Sequence, residues 1–98
     1  MTIDKILKGK ELILNLAGRL DATTAPALES ELKAYIDELE MLTIDFKGLE
    51  YVSSAGLRVL LFAQKVMNKQ GKMVIRNVNE TINEIFEVTG FIDILTIE

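Results

Sequence analysis

The sequence predicts an α/β fold: a mixed sheet of four to five strands with helices packed against it, in the order β-β-α-β-α-β-α-β. Three observations carry that expectation. Short segments alternate apolar and polar side chains at the two-residue period of a strand. Between them, apolar residues recur every three and four positions, which is the period of a helix. The chain has 98 residues, the length of one domain with one core.

Ile3–Leu7 and Leu12–Leu16 flank Lys8-Gly9-Lys10 and read as a β-hairpin. Ala17–Ala22 reads as a turn, and Thr23 or Thr24 ahead of Pro26 marks a helix start, where a proline is tolerated because no intrahelical N–H is needed. Leu28, Leu32, Tyr35, Ile36 and Leu39 make the apolar stripe of that first helix. Met41–Phe46 alternates again, and Lys47–Glu50 reads as the break that ends the strand. From Leu57 to Ala63 the only charge is Arg58, so the second helix begins buried; Gln64, Lys65, Asn68 and Lys69 supply its polar face and Gly71 its end. Lys72–Asn77 is a further strand. Asn79 and Glu80 open a third helix carrying Ile82, Ile85, Phe86 and Val88 ahead of Gly90, and Phe91–Ile97 reads as a last strand. Strands separated by helices imply parallel pairing after the opening hairpin, with Leu14, Ile44 and Ile75 among the buried strand residues.

Composition narrows the function. The formal charge is −4 with the basic residues scattered, which opposes binding to a nucleic-acid backbone or an anionic membrane surface. No apolar run reaches the length of a membrane-spanning helix, and the amino terminus lacks the basic segment and apolar stretch of a signal peptide. A monomeric cytoplasmic protein is expected. The chain contains no Cys and no His, so disulfides, thiolate and imidazole metal sites, a Cys nucleophile and the commonest general base are all excluded. No metal, cofactor or catalytic residue is assigned.

In open α/β sheets the working surface lies where strands end and helices begin. Two loops hold such places: Gly18–Asp21, and Val52-Ser53-Ser54-Ala55-Gly56. A helix start offers unpaired N–H groups and the positive dipole end, so Ser54 is suited to carry a phosphate. Bland roles stand beside each candidate. Either serine can cap the helix, and Gly56 can serve close packing as well as a partner's approach. Asp21 can cap the first helix or stand beside the serine loop. Arg58 can lie in solvent, its stem on the apolar run, or meet a partner's acid or an added phosphate. The four methionines read as core fillers.

Asp45-Phe-Lys-Gly-Leu-Glu-Tyr-Val-Ser-Ser-Ala-Gly-Leu-Arg-Val-Leu-Leu61 resembles the signature of STAS domains, and of bacterial anti-sigma factor antagonists in particular. Ala17-Gly-Arg-Leu-Asp-Ala22 ahead of Ala-Pro-Ala-Leu is similar to that family's first loop, and the element order matches across nearly all of residues 1–98. The resemblance puts the phosphoacceptor on Ser54, the small residue on Ala55 and the glycine and leucine on Gly56 and Leu57; Ser53 stands where the family usually has Asp. The final helix that many members carry has no counterpart here.

The resemblance implies a switch. The unmodified antagonist binds an anti-sigma factor that is also a serine kinase, phosphorylation by that kinase ends the complex, and a serine phosphatase resets it. Asp21, Ser53, Ser54, Ala55, Gly56 and Arg58 are then the expected partner-binding residues. Two other classes stand beside this one: a constitutive STAS scaffold that binds a protein or small ligand without modification, and an enzyme with Ser54 as nucleophile. The last is disfavoured by the lack of His and of any recognisable Ser-Lys spacing. An acyl carrier, which also uses a serine at a helix start, is all-helical and conflicts with the strand periods.

Overall fold

A computed structural model describes all residues from Met1 to Glu98. Strand β1 (Thr2–Lys8) turns through Gly9 and Lys10 into β2 (Glu11–Leu20), and Gly9 takes the positive φ of 59° that a tight hairpin demands. Helix α1 (Ala25–Tyr35), strand β3 (Met41–Val52), helix α2 (Ser54–Gln70), strand β4 (Lys72–Arg76) and helix α3 (Glu80–Thr89) follow. The sheet order is β1-β2-β3-β4, antiparallel in the hairpin and parallel beyond it. Crossovers of the usual right hand set α1 and α2 on one face. Burial agrees: Leu12, Leu14 and Leu16 are sealed, whereas Ile13, Asn15 and Ala17, facing the other way, are half-buried. One contiguous cluster of 24 buried residues fills the space between sheet and helices, with Leu14, Ile44 and Ile75 all at 0% exposure.

The order matches the expected one through α3. Beyond it, Phe91–Ile97 is no continuous strand. Gly90, at φ 81°, turns the chain into a 3-10 turn over Phe91–Asp93, and the Phe91 carbonyl is taken up by the N–H groups of Ile94 and Leu95. Only Ile97 pairs with the sheet, in a single parallel bridge to Ile75.

Two segments expected to interrupt the sheet instead belong to it. Ala17–Leu20 stays in β2, and Lys47–Glu50 stays in β3. The reason is visible in the register: Asn15 pairs with Asp45, Ala17 with Gly48, Gly18 with Leu49 and Arg19 with Tyr51, so β3 absorbs an extra residue twice. These are bulges, which bend a strand without ending it. The sequence carries their mark, because the buried residues of β3 change spacing from two (Leu42, Ile44, Phe46) to three (Phe46, Leu49, Val52). Gly48 is needed at the first, where a Cβ would lie 2.9 Å from the Ala17 Cβ.

Two helix positions also depart from the simple stripe. Gln64 is buried at 4% exposure, its Nε2 donating to Asn68 Oδ1 at 2.8 Å and its Oε1 unpartnered, while Val88 is 87% exposed. Lys65, Asn68 and Lys69 are solvent-facing as expected.

Candidate functional site

The two bulges set the geometry of the site. They bring Leu20, the last residue of β2, opposite Val52, the last of β3, so the chain leaves both strands at one level. The Ser53 N–H then donates to the Leu20 carbonyl at 2.8 Å. The loop that ends in Asp21 and the loop that holds the serines are thereby joined.

Asp21 is fixed from all sides. Its Oδ1 accepts the Thr23 hydroxyl at 2.7 Å, the Thr23 N–H at 3.0 Å and the Thr24 N–H at 3.2 Å. The Thr24 hydroxyl accepts the Asp21 N–H at 2.9 Å and donates to the Arg19 carbonyl at 2.7 Å. Thr24 is the residue before α1, and the Asp21 carbonyl receives the Ala25 N–H at 2.8 Å, so this acid organises the entry to the helix. The Thr23 hydroxyl, followed by the Thr23 and Thr24 N–H groups, holds the carboxyl below the usual aspartate value. Arg19 stands over the Tyr51 ring, 4.5 Å from its centroid, with its Nε 3.8 Å from Asp21 Oδ2.

The serine loop is built differently. Ser53 occupies the cap position of α2 with extended backbone, and its carbonyl accepts the Leu57 N–H at 2.9 Å, yet its hydroxyl caps nothing. That oxygen is buried and has no hydrogen-bond partner. Ser54 is the first helical residue, is exposed, and its hydroxyl has no partner either. No hydrogen bond joins the Asp21 carboxylate to either serine. Gly56 is buried where a Cβ would stand 2.6 Å from Leu20 Cγ, so its lack of a side chain lets the first turn of α2 seat on the end of β2.

Beside Ser54, the starts of the two helices leave a groove of about 320 Å³, with Ala25, Pro26 and Glu29 on one wall and Ala55, Arg58 and Phe62 on the other. Glu29 is paired with Lys33 at 3.0 Å, whereas Arg58, one turn beyond Ser54, is exposed and forms no ion pair. Ala55 is half-buried on the groove floor. Arg19, Tyr51, Thr23 and Thr24 also belong to the site; from the sequence Thr23 and Thr24 read only as a helix start, and neither Arg19 nor Tyr51 is named as a site residue. The Arg19–Tyr51 contact depends on the parallel register that two bulges reset, and periodicity does not report it.

A mixed four-stranded sheet, α1 and α2 on one face, and paired loops at the ends of adjacent parallel strands define a small α/β module. The STAS domain model matches residues 2–98, and the chain belongs to the STAS domain family. It is 38% identical to BtrV of Bordetella bronchiseptica over 99% of this chain and 84% of that protein. It is 30% identical to the anti-sigma-B factor antagonist of Bacillus subtilis over 99% of this chain and 90% of that one. The fold matches the anti-sigma factor antagonist SpoIIAA in its unphosphorylated form with a TM-score of 0.78, at 14% identity, over 99% of this chain and 87% of that one. No helix is long and apolar enough to cross a membrane.

Proposed function

We propose that this chain is a cytoplasmic anti-sigma factor antagonist, switched by phosphorylation of Ser54. The observation that carries the reading is the state of the Ser54 hydroxyl: exposed, unbonded, at the start of α2 and next to the hydrogen-bonded Asp21 loop. A kinase needs an acceptor oxygen it can reach without breaking a native bond, and Ser54 offers one. The curated relatives named as antagonists of anti-sigma factors support the partner class.

In this reading, the unmodified surface around Asp21, Ser53, Ser54, Ala55, Gly56 and Arg58 docks on an anti-sigma factor with serine kinase activity. The kinase passes the γ-phosphoryl group of ATP to Ser54 Oγ; ADP leaves, and the hydroxyl proton goes to the kinase's base. Phosphoserine brings about −1.5 to −2 charges onto a surface that the complex must desolvate, and binding is lost while the fold stays intact. A serine phosphatase returns the hydroxyl. The N–H groups of the first turn of α2 and the Arg58 guanidinium give the phosphate a favourable local field, so the modified domain remains stable on its own.

Intact mass and fragment mapping after incubation with a purified anti-sigma factor kinase and MgATP test the reading. One added phosphate on Ser54 is expected. An unmodified chain that still binds the anti-sigma factor would make it a constitutive scaffold, and a phosphate on Ser53 would move the switch to a hydroxyl that is buried here.

A further inference from the structure

The outer edge of the sheet is unlike any other surface of the molecule. Strand β1 pairs only with β2, and it displays Ile6 at 45% and Leu7 at 48% exposure, two of the chain's few large exposed apolar residues. A two-residue hairpin makes Lys8 and Glu11 a hydrogen-bonded pair, so Thr2, Asp4, Ile6 and Lys8 turn their backbone groups toward β2. Ile3, Lys5 and Leu7 turn theirs outward. Such an edge is a template for another strand unless charge or irregularity protects it.

The usual protection is a lysine on the edge, and here it is withdrawn. The Lys5 ammonium is tied to its own chain: it donates to Glu31 of α1 at 3.0 Å and lies 5.1 Å from the Tyr35 ring centroid. Hydrogen bonding to Glu31, then to Tyr35, raises its pKa above the ordinary lysine value. The charges left along β1 are Asp4 and Lys8, which have opposite signs and lie on the same face as Ile6.

We infer that β1 is a self-association edge: two copies of this chain pair antiparallel through it, about a twofold axis at Ile6. The register follows from charge. An axis at Asp4 sets two aspartates face to face, which is unfavourable, and an axis at Ile3, Lys5 or Leu7 sets no two β1 residues of opposite charge against each other. An axis at Ile6 puts Ile6 against Ile6, sets Asp4 of each copy opposite Lys8 of the other, and joins the outward backbone groups of Lys5 to those of Leu7. The row Ile6, Ile13, Thr43 and Val74, in register across the existing sheet, then runs on into its symmetry mate. The helices of both copies stay on one face, and the Asp21 and serine loops stay uncovered because they lie at the ends of β2 and β3. One strand pair buries less than the ~1,200–2,000 Å² of a stable complex, so the dimer is weak and concentration-dependent. It replaces the monomer expected from composition.

Because the chain has no native cysteine, single cysteines report the register directly. Directly opposed residues of a non-hydrogen-bonded antiparallel pair lie about 4.5 Å apart at Cα, within disulfide reach. Under mild oxidation Ile6→Cys is expected to form a covalent dimer at least tenfold faster than Asp4→Cys or Lys5→Cys, and an equimolar mixture of Asp4→Cys and Lys8→Cys to form the mixed dimer. Sedimentation equilibrium from roughly 10 μM to 1 mM is expected to show the wild-type mass rising toward two chains. Ile6→Lys and Asp4→Lys should abolish the rise, and Asp4→Lys/Lys8→Asp should restore it. All these positions are exposed or half-exposed, and circular dichroism of each variant confirms that it folds. A wild-type mass fixed at one chain, faster cross-linking through Lys5→Cys, or a charge-swapped variant no better than Asp4→Lys overturns the proposal.

Discussion

The two loops at the site are neighbours in space and opposites in chemistry. In the Asp21 loop the carboxylate, two threonine hydroxyls and the adjoining N–H groups are bonded to one another. In the serine loop two hydroxyls stand in succession and neither has a partner. The backbone bond from Ser53 to Leu20 ties the free loop to the saturated one. One segment is thus saturated with hydrogen bonds, and the other is left with an exposed, unbonded hydroxyl at Ser54.

The sharpest way to break this contrast is to charge the free hydroxyl. Ser54→Asp is expected to weaken binding to the anti-sigma factor by at least 100-fold relative to Ser54→Ala, since an unpaired buried charge costs about 3–5 kcal/mol. Calorimetric titration of both variants measures it. Melting should run the other way. Ser54 makes no cap bond to lose, and a carboxylate in the first turn gains about 0.3–1 kcal/mol, so Ser54→Asp should melt at or above Ser54→Ala.

A second test separates the seat of α2 from its chemistry. Gly56→Ala places a Cβ against Leu20 and is expected to cost about 1–3 kcal/mol in urea unfolding, through overpacking at the end of β2.

The third bears on the saturated loop. The Asp21 pKa is lower folded than unfolded, so its stabilising contribution is complete above the ordinary aspartate value of 3.8 and disappears as pH falls through the lowered folded value. Asp21→Asn should lower the melting temperature at neutral pH. Its curve should approach that of the wild type only as pH falls through the lowered folded value of Asp21, so thermal melts taken down an acid series should show the gap narrowing from above the ordinary aspartate value downward.

The smallest effect is the most diagnostic. A serine at a helix cap ordinarily loses about 0.5–2 kcal/mol on replacement by alanine. Ser53 caps no N–H and buries an unpartnered oxygen, so Ser53→Ala should leave stability within about 0.5 kcal/mol of wild type or raise it. A loss of a full capping increment in chemical denaturation would mean that the hydroxyl is bonded after all.

Most of the fold was legible because its signals are local. Alternation marks the strands, Asn79 caps α3 by accepting the Ile82 N–H at 2.8 Å, and Gly90 ends that helix in the left-handed region. The serine motif could be read for the same reason: its residues are contiguous. What escaped notice depends on distant partners. Lys47–Glu50 has the composition of a turn, and only the three-residue spacing of Phe46, Leu49 and Val52 betrays the bulges. Phe91–Ile97 has the composition of a strand, but its apolar residues are spent on a helical turn. Gln64 looks like a surface residue and is buried, and nothing in its neighbours announces that. The bonding of Asp21 was legible as a capping role, whereas its junction with the serine loop follows from a register that local pattern does not encode.

That register gives the site a property of its own: acid and serine are held level by strand pairing, whatever the residue count. β2 spans 10 residues and β3 spans 12 over the same paired stretch, and the two bulges absorb the surplus so that Val52 ends level with Leu20. Removing either Lys47 or Gly48 would shorten the Phe46-to-Leu49 spacing from three to two, the regular period of a strand, so the first bulge would be lost while Leu49 kept its place on the core face. Removing one residue from each bulge would leave Val52 still opposite Leu20, with the strand straightened rather than shortened along the sheet. Deletions that remove a bulge should therefore fold with the serine loop still level with Leu20 but differently tilted, whereas a single deletion within the regular stretch Met41–Phe46 should turn apolar residues out of the core.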